Sequence, residues 1–446
     1  MEKQENILDR LGISFHRTLS FKLLVIGMLI IILLIPKVMI QELVGERQNN
    51  SVHVVHEVMS KWSNEQLISG PVLYIPFKKG IYNEEEGQYN EVTRYATFLP
   101  KELSINGKLL PKQLKRSIYN VDVYEAELSI AGYFEDIDLE KLNIESSDII
   151  WDDAHLQLSI SDLRGINQGL TLKWNDVQYT FSPGKAASPI GHSGVAMPLK
   201  QLFDEDLNGT FNIKLQLKGS QNLMFTPLGE TTTVHLKSAW NDPGFTGNFL
   251  PTDRVVDDKG FKADWSVLHF NRNYPQQWIS TNNTLNQNDI ENSKFGVEMV
   301  SLADHYQKNT RSAKYAILII IITFVVFFLF EVLSKQRIHP FQYIMVGSAI
   351  TIFYLLLLSI SEHLGFNMAY LLAALAVILL VFFYTRSFMP KLKTQLGTSF
   401  GLAGCYLFIF ILLQLESFAL LAGSIGLFVL LAALMFFTRK VNWYKE

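Results

Sequence analysis

Two apolar patterns divide this chain. Long unbroken runs occupy its two ends, and an alternation of period two fills the middle. Residues 316–330 contain only Ala, Ile, Leu, Thr, Phe and Val, and the run reaches Leu333 past a single charge, Glu331. A helix rises about 1.5 Å per residue, so about 20 such residues cross the roughly 30 Å hydrocarbon core of a bilayer. Comparable runs lie at 341–361, 367–384, 398–415 and 418–437. Near the N-terminus, 23–35 is unbroken, and the span extends over 20–40 with Lys22 and Lys37 near its ends. The pattern predicts six membrane spans, one early and five late. Pro36, Lys37 and Val38 follow the first span where a cleaved signal peptide would show a small-x-small site. It therefore reads as an uncleaved signal anchor.

Between the first two spans the period changes twice. Residues 41–66 place Val44, Val52, Val55, Val58, Met59 and Trp62 at loosely helical spacing, which predicts a stalk continuing from the first span. From Gly70 onwards, 71–78, 92–99, 121–133, 155–160, 170–181, 211–218, 231–238, 261–270 and 295–302 read as strands. Alternation is clearest in 121–130 and 212–218, the mark of strands with one face to a core and one to water. Asn106-Gly107, Trp174-Asn175-Asp176 and Asn208-Gly209 are turn signals. Long crossover helices are missing, so the expected fold is a large antiparallel β-sandwich-like domain carried by six transmembrane α-helices in a 1 + 5 arrangement. The expected boundaries are an N-terminal segment (1–19), transmembrane helix 1 (20–40), a helical stalk (41–69), the β-rich domain (70–303), a helix leading into a five-helix bundle (304–437) and a tail (438–446).

Charge orients this layout. Lys335 and Arg337 lie between spans 2 and 3, Arg386, Lys391 and Lys393 between spans 4 and 5, and Arg439, Lys440 and Lys445 in the tail. With Lys3, Arg10 and Arg17 at the N-terminus, all fall on one side when six spans are threaded. Lysine and arginine in short loops mark the cytoplasmic side, so both termini are expected there and residues 41–314 outside the cytoplasm. The net charge of −3 hides a split: 41–314 hold 35 acidic and 26 basic side chains, a net of −9, against +6 for the remainder. An acidic outer domain argues against nucleic acid as a partner. The lone cysteine, Cys405, lies in span 5, so the outer domain has no disulfide and must rely on an ordinary core.

Three groups of residues are candidates for function. Glu362 and His363 end span 3 and Glu416 lies in the turn between spans 5 and 6, which makes a polar cluster on the outer rim of the bundle; plain interfacial polarity explains it as well as lipid, proton or partner contact does. Asp162 and Arg164 are two apart and share a strand face, fit either to pair structurally or to grip a ligand. The irregular stretch Trp240, Asp242, Phe245 and Phe249 has the composition of a recognition loop, or of an aromatic plug closing one end of the sandwich. Glu331 is expected to pair with Lys335 or Arg337. His53 and His56 are three apart, but His-Glu-Val-Met-Ser is not a zinc motif. Gly191-His192-Ser193-Gly194 is one residue short of a nucleophile elbow, and no phosphate loop, dinucleotide fingerprint or paired-cysteine motif occurs. No catalytic residue, metal or cofactor is expected.

One family shares both the layout and the wording. The chain resembles the CreD family of bacterial inner-membrane proteins, most closely in 311–365, with Lys314-Tyr315-Ala316-Ile317-Leu318, Gln336-Arg337-Ile338-His339-Pro340 and the stretch 354–363. In the outer domain the shared pieces are Gly70-Pro71-Val72-Leu73-Tyr74-Ile75-Pro76, Ser161-Asp162-Leu163-Arg164-Gly165 and 240–251, and near the end Asn442-Trp443-Tyr444. The resemblance implies a protein of the Gram-negative inner membrane that supports envelope integrity under stress and cell-wall antibiotics, and it brings no catalytic residues. The expected partners are the lipid bilayer and, through the β-domain, a periplasmic protein, lipid or cell-wall component. A transporter or lipid-handling enzyme built on spans 2–6 is one alternative, and a sensor acting with a separate signalling partner is another. None of these patterns bears on oligomeric state.

Overall fold

The computed structural model describes residues 19–83, 88–184, 190, 193–202, 207–280, 287–299, 304–334, 338–389, 391–415 and 418–439. The first apolar run and the stalk form one uninterrupted helix, α1 (Leu19–Trp62), about 66 Å long at 1.5 Å per residue. The stalk thus ends at Trp62, 63–65 form a short connection, and 66–69, expected to complete the stalk, already belong to the first strand.

The β-region then runs in chain order through β1 (Gln66–Asn83), β2 (Gln88–Phe98), β3 (Glu102–Arg116), β4 (Tyr119–Phe134), β5 (His155–Ile160), β6 (Thr171–Trp174), β7 (Val177–Thr180), β8 (Ser182–Pro183) and β9 (Gly194–Pro198). It continues with β10 (Gly209–Ser220), β11 (Asn222–Phe225), β12 (Thr231–Ser238), β13 (Pro243–Gly247), β14 (Asp253–Asp257), β15 (Gly260–Leu268), β16 (Gln277–Ile279), the short helix α2 (Gln287–Asn292) and β17 (Phe295–Met299). The membrane half follows as α3 (Asp304–Lys314), α4 (Ala316–Ser334), α5 (Pro340–Leu364), α6 (Phe366–Thr385), α7 (Leu392–Gln414) and α8 (Ala419–Thr438).

Two sheets share one apolar core. The first is ordered β13-β17-β11-β1-β5-β9-β8, with β2 on β1 and β16 on β2; the second is ordered β14-β15-β12-β3-β4-β10-β6-β7. Leu73, Ile75 and Phe77 of β1 join Ile105, Ile130, Ile213, Trp174 and Trp265 of the second sheet in a single buried cluster. Most pairings are antiparallel, as alternation predicts. Two are parallel, β1 with β11 and β3 with β12, and neither uses a helical crossover. Asn106-Gly107, a turn by composition, lies inside β3, where Leu103, Ile105 and Leu109 supply the buried face. A Cβ at Gly107 would strike Leu128 and Leu236, so the glycine there serves close packing between strands.

Among the described residues, six helices are long and apolar enough to cross a membrane: α1, α3 with α4, and α5 to α8. Their shared core includes Leu29 and Leu33 of α1, Phe324 of α4, Ile350 and Phe353 of α5, Tyr370 of α6 and Tyr406 of α7. Helix α1 comes close at Gly347 of α5, where any Cβ would overlap the Leu33 side chain. Helix α8 leaves Leu420, Phe428 and Met435 exposed for lipid to solvate. By contact, residues 53–301 form one compact unit, and residues 1–52 with 302–446 form another.

Candidate functional site

The turn after β5 builds a dense polar cluster in the β-unit. Asp162 caps the short 3-10 turn Leu163–Gly165 and accepts from the Arg164 backbone N–H at 3.1 Å. The Arg164 guanidinium donates to both carboxylate oxygens, Nε to Oδ1 at 2.9 Å and Nη2 to Oδ2 at 2.7 Å, the forked geometry that fits the two groups. Arg164 Nη1 then donates to the Ser60 carbonyl at 2.6 Å, in the last turn of α1. That carbonyl has no intrahelical donor, so the guanidinium supplies one and sits favourably against the negative helix end.

Neighbouring residues complete the clamp. The Asn64 N–H donates to Asp162 Oδ2 at 2.9 Å, and Gln66 Nε2 donates to Ser63 Oγ, the Asp162 carbonyl and the Lys218 carbonyl. Below it, Met59 packs with Val121 and Val123 of β4, and the Lys218 ammonium lies 4.6 Å from the Trp62 ring centre. Gly165 is required by space, since a Cβ there would run into the Lys218 carbonyl, Gln66 and Ser63. Asp162 is only 9% exposed, yet its carboxyl is held down to about 2, chiefly by the hydrogen bonds from Arg164 and against the opposing effect of burial. Ser60 in the last turn of α1 and Asn64 just beyond it both bond to this pair, the geometry of a fastener between the helix end and the turn after β5.

The aromatic stretch lies elsewhere. Trp240 donates through Nε1 to the Asp242 carbonyl at 2.9 Å, and the Asp242 side chain is exposed. Phe245, on β13, packs edge-on against Phe261 and Trp265, with its ring centre 5.8 and 5.9 Å from theirs. Phe249 packs edge-on to Phe295 at 5.9 Å, and its carbonyl accepts from Trp265 Nε1. Trp240, Phe245 and Phe249 therefore lie half-buried against the shared core, where β13 of one sheet passes to β14 of the other. Among the described residues, no hydrogen bond, ion pair or ring contact joins this stretch to Asp162 and Arg164.

In the membrane unit, Glu362 is half-buried and accepts from the Tyr306 hydroxyl at 3.1 Å, while the buried Asn309 donates to Ser361 Oγ at 2.8 Å. His363 is exposed and does not share this network. Glu416, the third residue of the expected rim cluster, lies outside the described residues, as do Lys335 and Arg337.

Glu331 is 5% exposed and pairs with Lys22 of α1. It also accepts from the Ile338 N–H at 3.1 Å and faces the Tyr343 hydroxyl at 3.4 Å. The signal for this pair was present in the sequence: two opposite charges, each inside an otherwise apolar span, are costly alone.

Arg272 is a second group that sequence reasoning passed over. It is buried and donates to the carbonyls of Tyr274, Leu228 and Gly229 and to Gln276, over the Tyr274 ring; burial lowers its guanidinium from the ordinary value. It gathers the 226–229 and 272–276 segments at one end of the β-unit.

Between α4, α7 and α8 an apolar groove of about 700 Å³ is lined by Gly401, Gly404, Cys405, Phe408 and Gly426, with little polar surface to direct chemistry. Among the described residues, no three His, Cys, Asp or Glu side chains converge as metal ligands would.

Six apolar helices, with a large two-sheet β-unit inserted after the first, define a multi-pass membrane protein. The family described as Inner membrane protein CreD matches residues 18–444, and the chain belongs to that family. It is 32% identical over 417 residues to Inner membrane protein CreD of Escherichia coli (strain K12), an alignment covering 93% of this chain and 91% of that protein.

Proposed function

We propose that this protein supports cell-envelope integrity from the inner membrane by binding an envelope component through its β-unit, without chemistry of its own. The observation that carries this reading is the Asp162–Arg164 clamp. It fastens the turn after β5 to the last turn of α1 within the β-unit, which leaves the sheet surfaces open for binding. The region that the family resemblance singles out, 161–165, is then the fastener, and recognition belongs to the open surface of the sheets.

Both termini lie in the cytoplasm and the β-unit in the periplasm. Two contacts support this threading beside the lysine and arginine count. Lys22 with Glu331 brings the start of α1 to the end of α4, and Tyr306 with Glu362 brings the start of α3 to the end of α5. Each pair joins helix ends that the six-span threading sets on one side. The protein works alongside lipid and a periplasmic protein, lipid or cell-wall component.

The test is rescue of a deletion strain under detergent stress by a variant lacking residues 70–300. The shortened protein is expected to reach the membrane and fail to rescue. Full rescue by the helices alone would overturn the proposal.

A further inference from the structure

The outer face of the second sheet carries a charge arrangement that the fold does not explain. Strand register sets Lys237 of β12 directly beside Lys108 of β3 on one side and Lys262 of β15 on the other. Three lysines thus stand abreast on three adjacent strands, all exposed. Val255 of β14 closes the row at one end and Glu127 of β4 at the other. Like charges placed directly opposite one another on a sheet are destabilising. Salt bridges would relieve this, and elsewhere on the same sheet Lys112 pairs with Glu125 at 2.7 Å. Among the described residues, none of Lys108, Lys237, Lys262 or the nearby Lys259 is in an ion pair, although the unit as a whole is acidic.

The row lies between two adjoining grooves of about 470 and 460 Å³, and all three lysines line both. The first adds Leu110, Val255, Lys259 and Asp257. The second adds Asn106, Glu127, His235 and Asp264, with Asp264 Oδ1 accepting from His235 Nδ1 at 2.6 Å. One groove thus offers cations beside an apolar wall, and the other offers amide, imidazole and carboxylate groups of the kind that bind hydroxyls.

We propose that this face binds a phosphorylated saccharide, with phosphates over the lysine row and sugar hydroxyls on Asn106, His235 and Asp264. Charge complementarity selects the phosphates, for which lysine acts as a point-charge partner. Two strand spacings separate Lys108 from Lys262, about 10 Å, which suits two phosphates set one disaccharide apart. The inference deepens the proposed binding role and rests on it.

The experiment uses the full chain in nanodiscs of phosphatidylcholine, titrated calorimetrically with a glucosamine disaccharide phosphorylated at both ends. The wild-type protein is expected to bind it, more weakly as salt rises. Binding should fall at least tenfold in the Lys108→Gln/Lys237→Gln/Lys262→Gln variant and hold in Lys79→Gln/Lys115→Gln/Lys294→Gln, whose exposed lysines lie off the row. Because the substitutions remove repulsion, the first variant should melt no lower than wild type without ligand, by up to about 2 °C higher.

Four results would overturn the inference: no binding by wild type, equal binding by the row variant, equal binding of the unphosphorylated or a dicarboxylate disaccharide, or a row variant that melts lower. Preferential binding to phosphatidylglycerol vesicles would also overturn it, in favour of a lipid surface. Rescue separates the two readings. If the row variant rescues while the variant lacking residues 70–300 fails, this surface is wrong and the binding role stands.

Discussion

Asp162 shows how one carboxylate can serve as a fastener. It is nearly buried, and its cost is offset by four donors: the backbone N–H groups of Asn64 and Arg164 and two guanidinium N–H groups. Its folded value of about 2 lies below the ordinary carboxylate value of about 3.9. Stabilisation from the clamp is therefore complete above about pH 4 and is lost as pH falls through about 2. Asp162→Asn keeps the shape and removes the charge, so it should cost about 1–3 kcal/mol at pH 7. Denaturant unfolding of the full chain at a series of pH values checks this. The gap to wild type should close as pH falls toward 2, and a gap independent of pH would show that the charge is not what holds the clamp. At this scale the expected shared strand face of Asp162 and Arg164 is not what joins them: β5 ends at Ile160, and they meet across the 3-10 turn that Asp162 caps. The bond from Arg164 to Ser60 was not legible in the sequence, because Ser60 lies 104 residues away and only the fold brings it within reach. The lysine row was hidden for a related reason. A net charge of −9 describes a composition, whereas three lysines abreast are created by the register of β3, β12 and β15.

At the scale of elements, Lys22 and Glu331 tie α1 into the bundle. Lys22 keeps 37% of its side chain exposed, and Glu331 only 5%. Removing the lysine strands a buried carboxylate, while removing the carboxylate leaves a cation that can reach water along its stem. Lys22→Met should therefore destabilise more than Glu331→Gln, by about 1–3 kcal/mol, and the double variant should recover part of the loss. Thermal melting in detergent measures all three, and equal melting of both single variants and wild type would remove the pair from the account. The spans themselves were legible because a run of about 20 apolar residues has few soluble explanations. Strands were less so. β3 was missed because Asn106-Gly107 carries the composition of a hairpin turn, and packing against Leu128 and Leu236 overrode it. The parallel pairs β1–β11 and β3–β12 join segments distant in sequence, where no local pattern records the partner. The expected partners of Glu331, Lys335 and Arg337, lie outside the described residues, and the Lys22 contact joins two helices far apart in sequence.

For the whole molecule, the account divides labour between two units. The β-unit has the open polar grooves and the fastener, and the membrane unit has an apolar interior with a buried carboxylate near one end, Glu331, that is paired with Lys22. A carrier would need its charged or polar groups free to change partners. Among the described residues, Glu362 and His363 are the rim candidates of the membrane unit, and Tyr306 engages the first. The direct measurement is rescue of the deletion strain under cell-wall antibiotic stress at equal membrane abundance. Two variants are compared with wild type: Lys108→Gln/Lys237→Gln/Lys262→Gln on the β-unit, and Glu362→Ala/His363→Ala on the membrane unit. The account predicts that the first fails and the second rescues. Rescue by the first with failure of the second would contradict it and move the activity into the membrane.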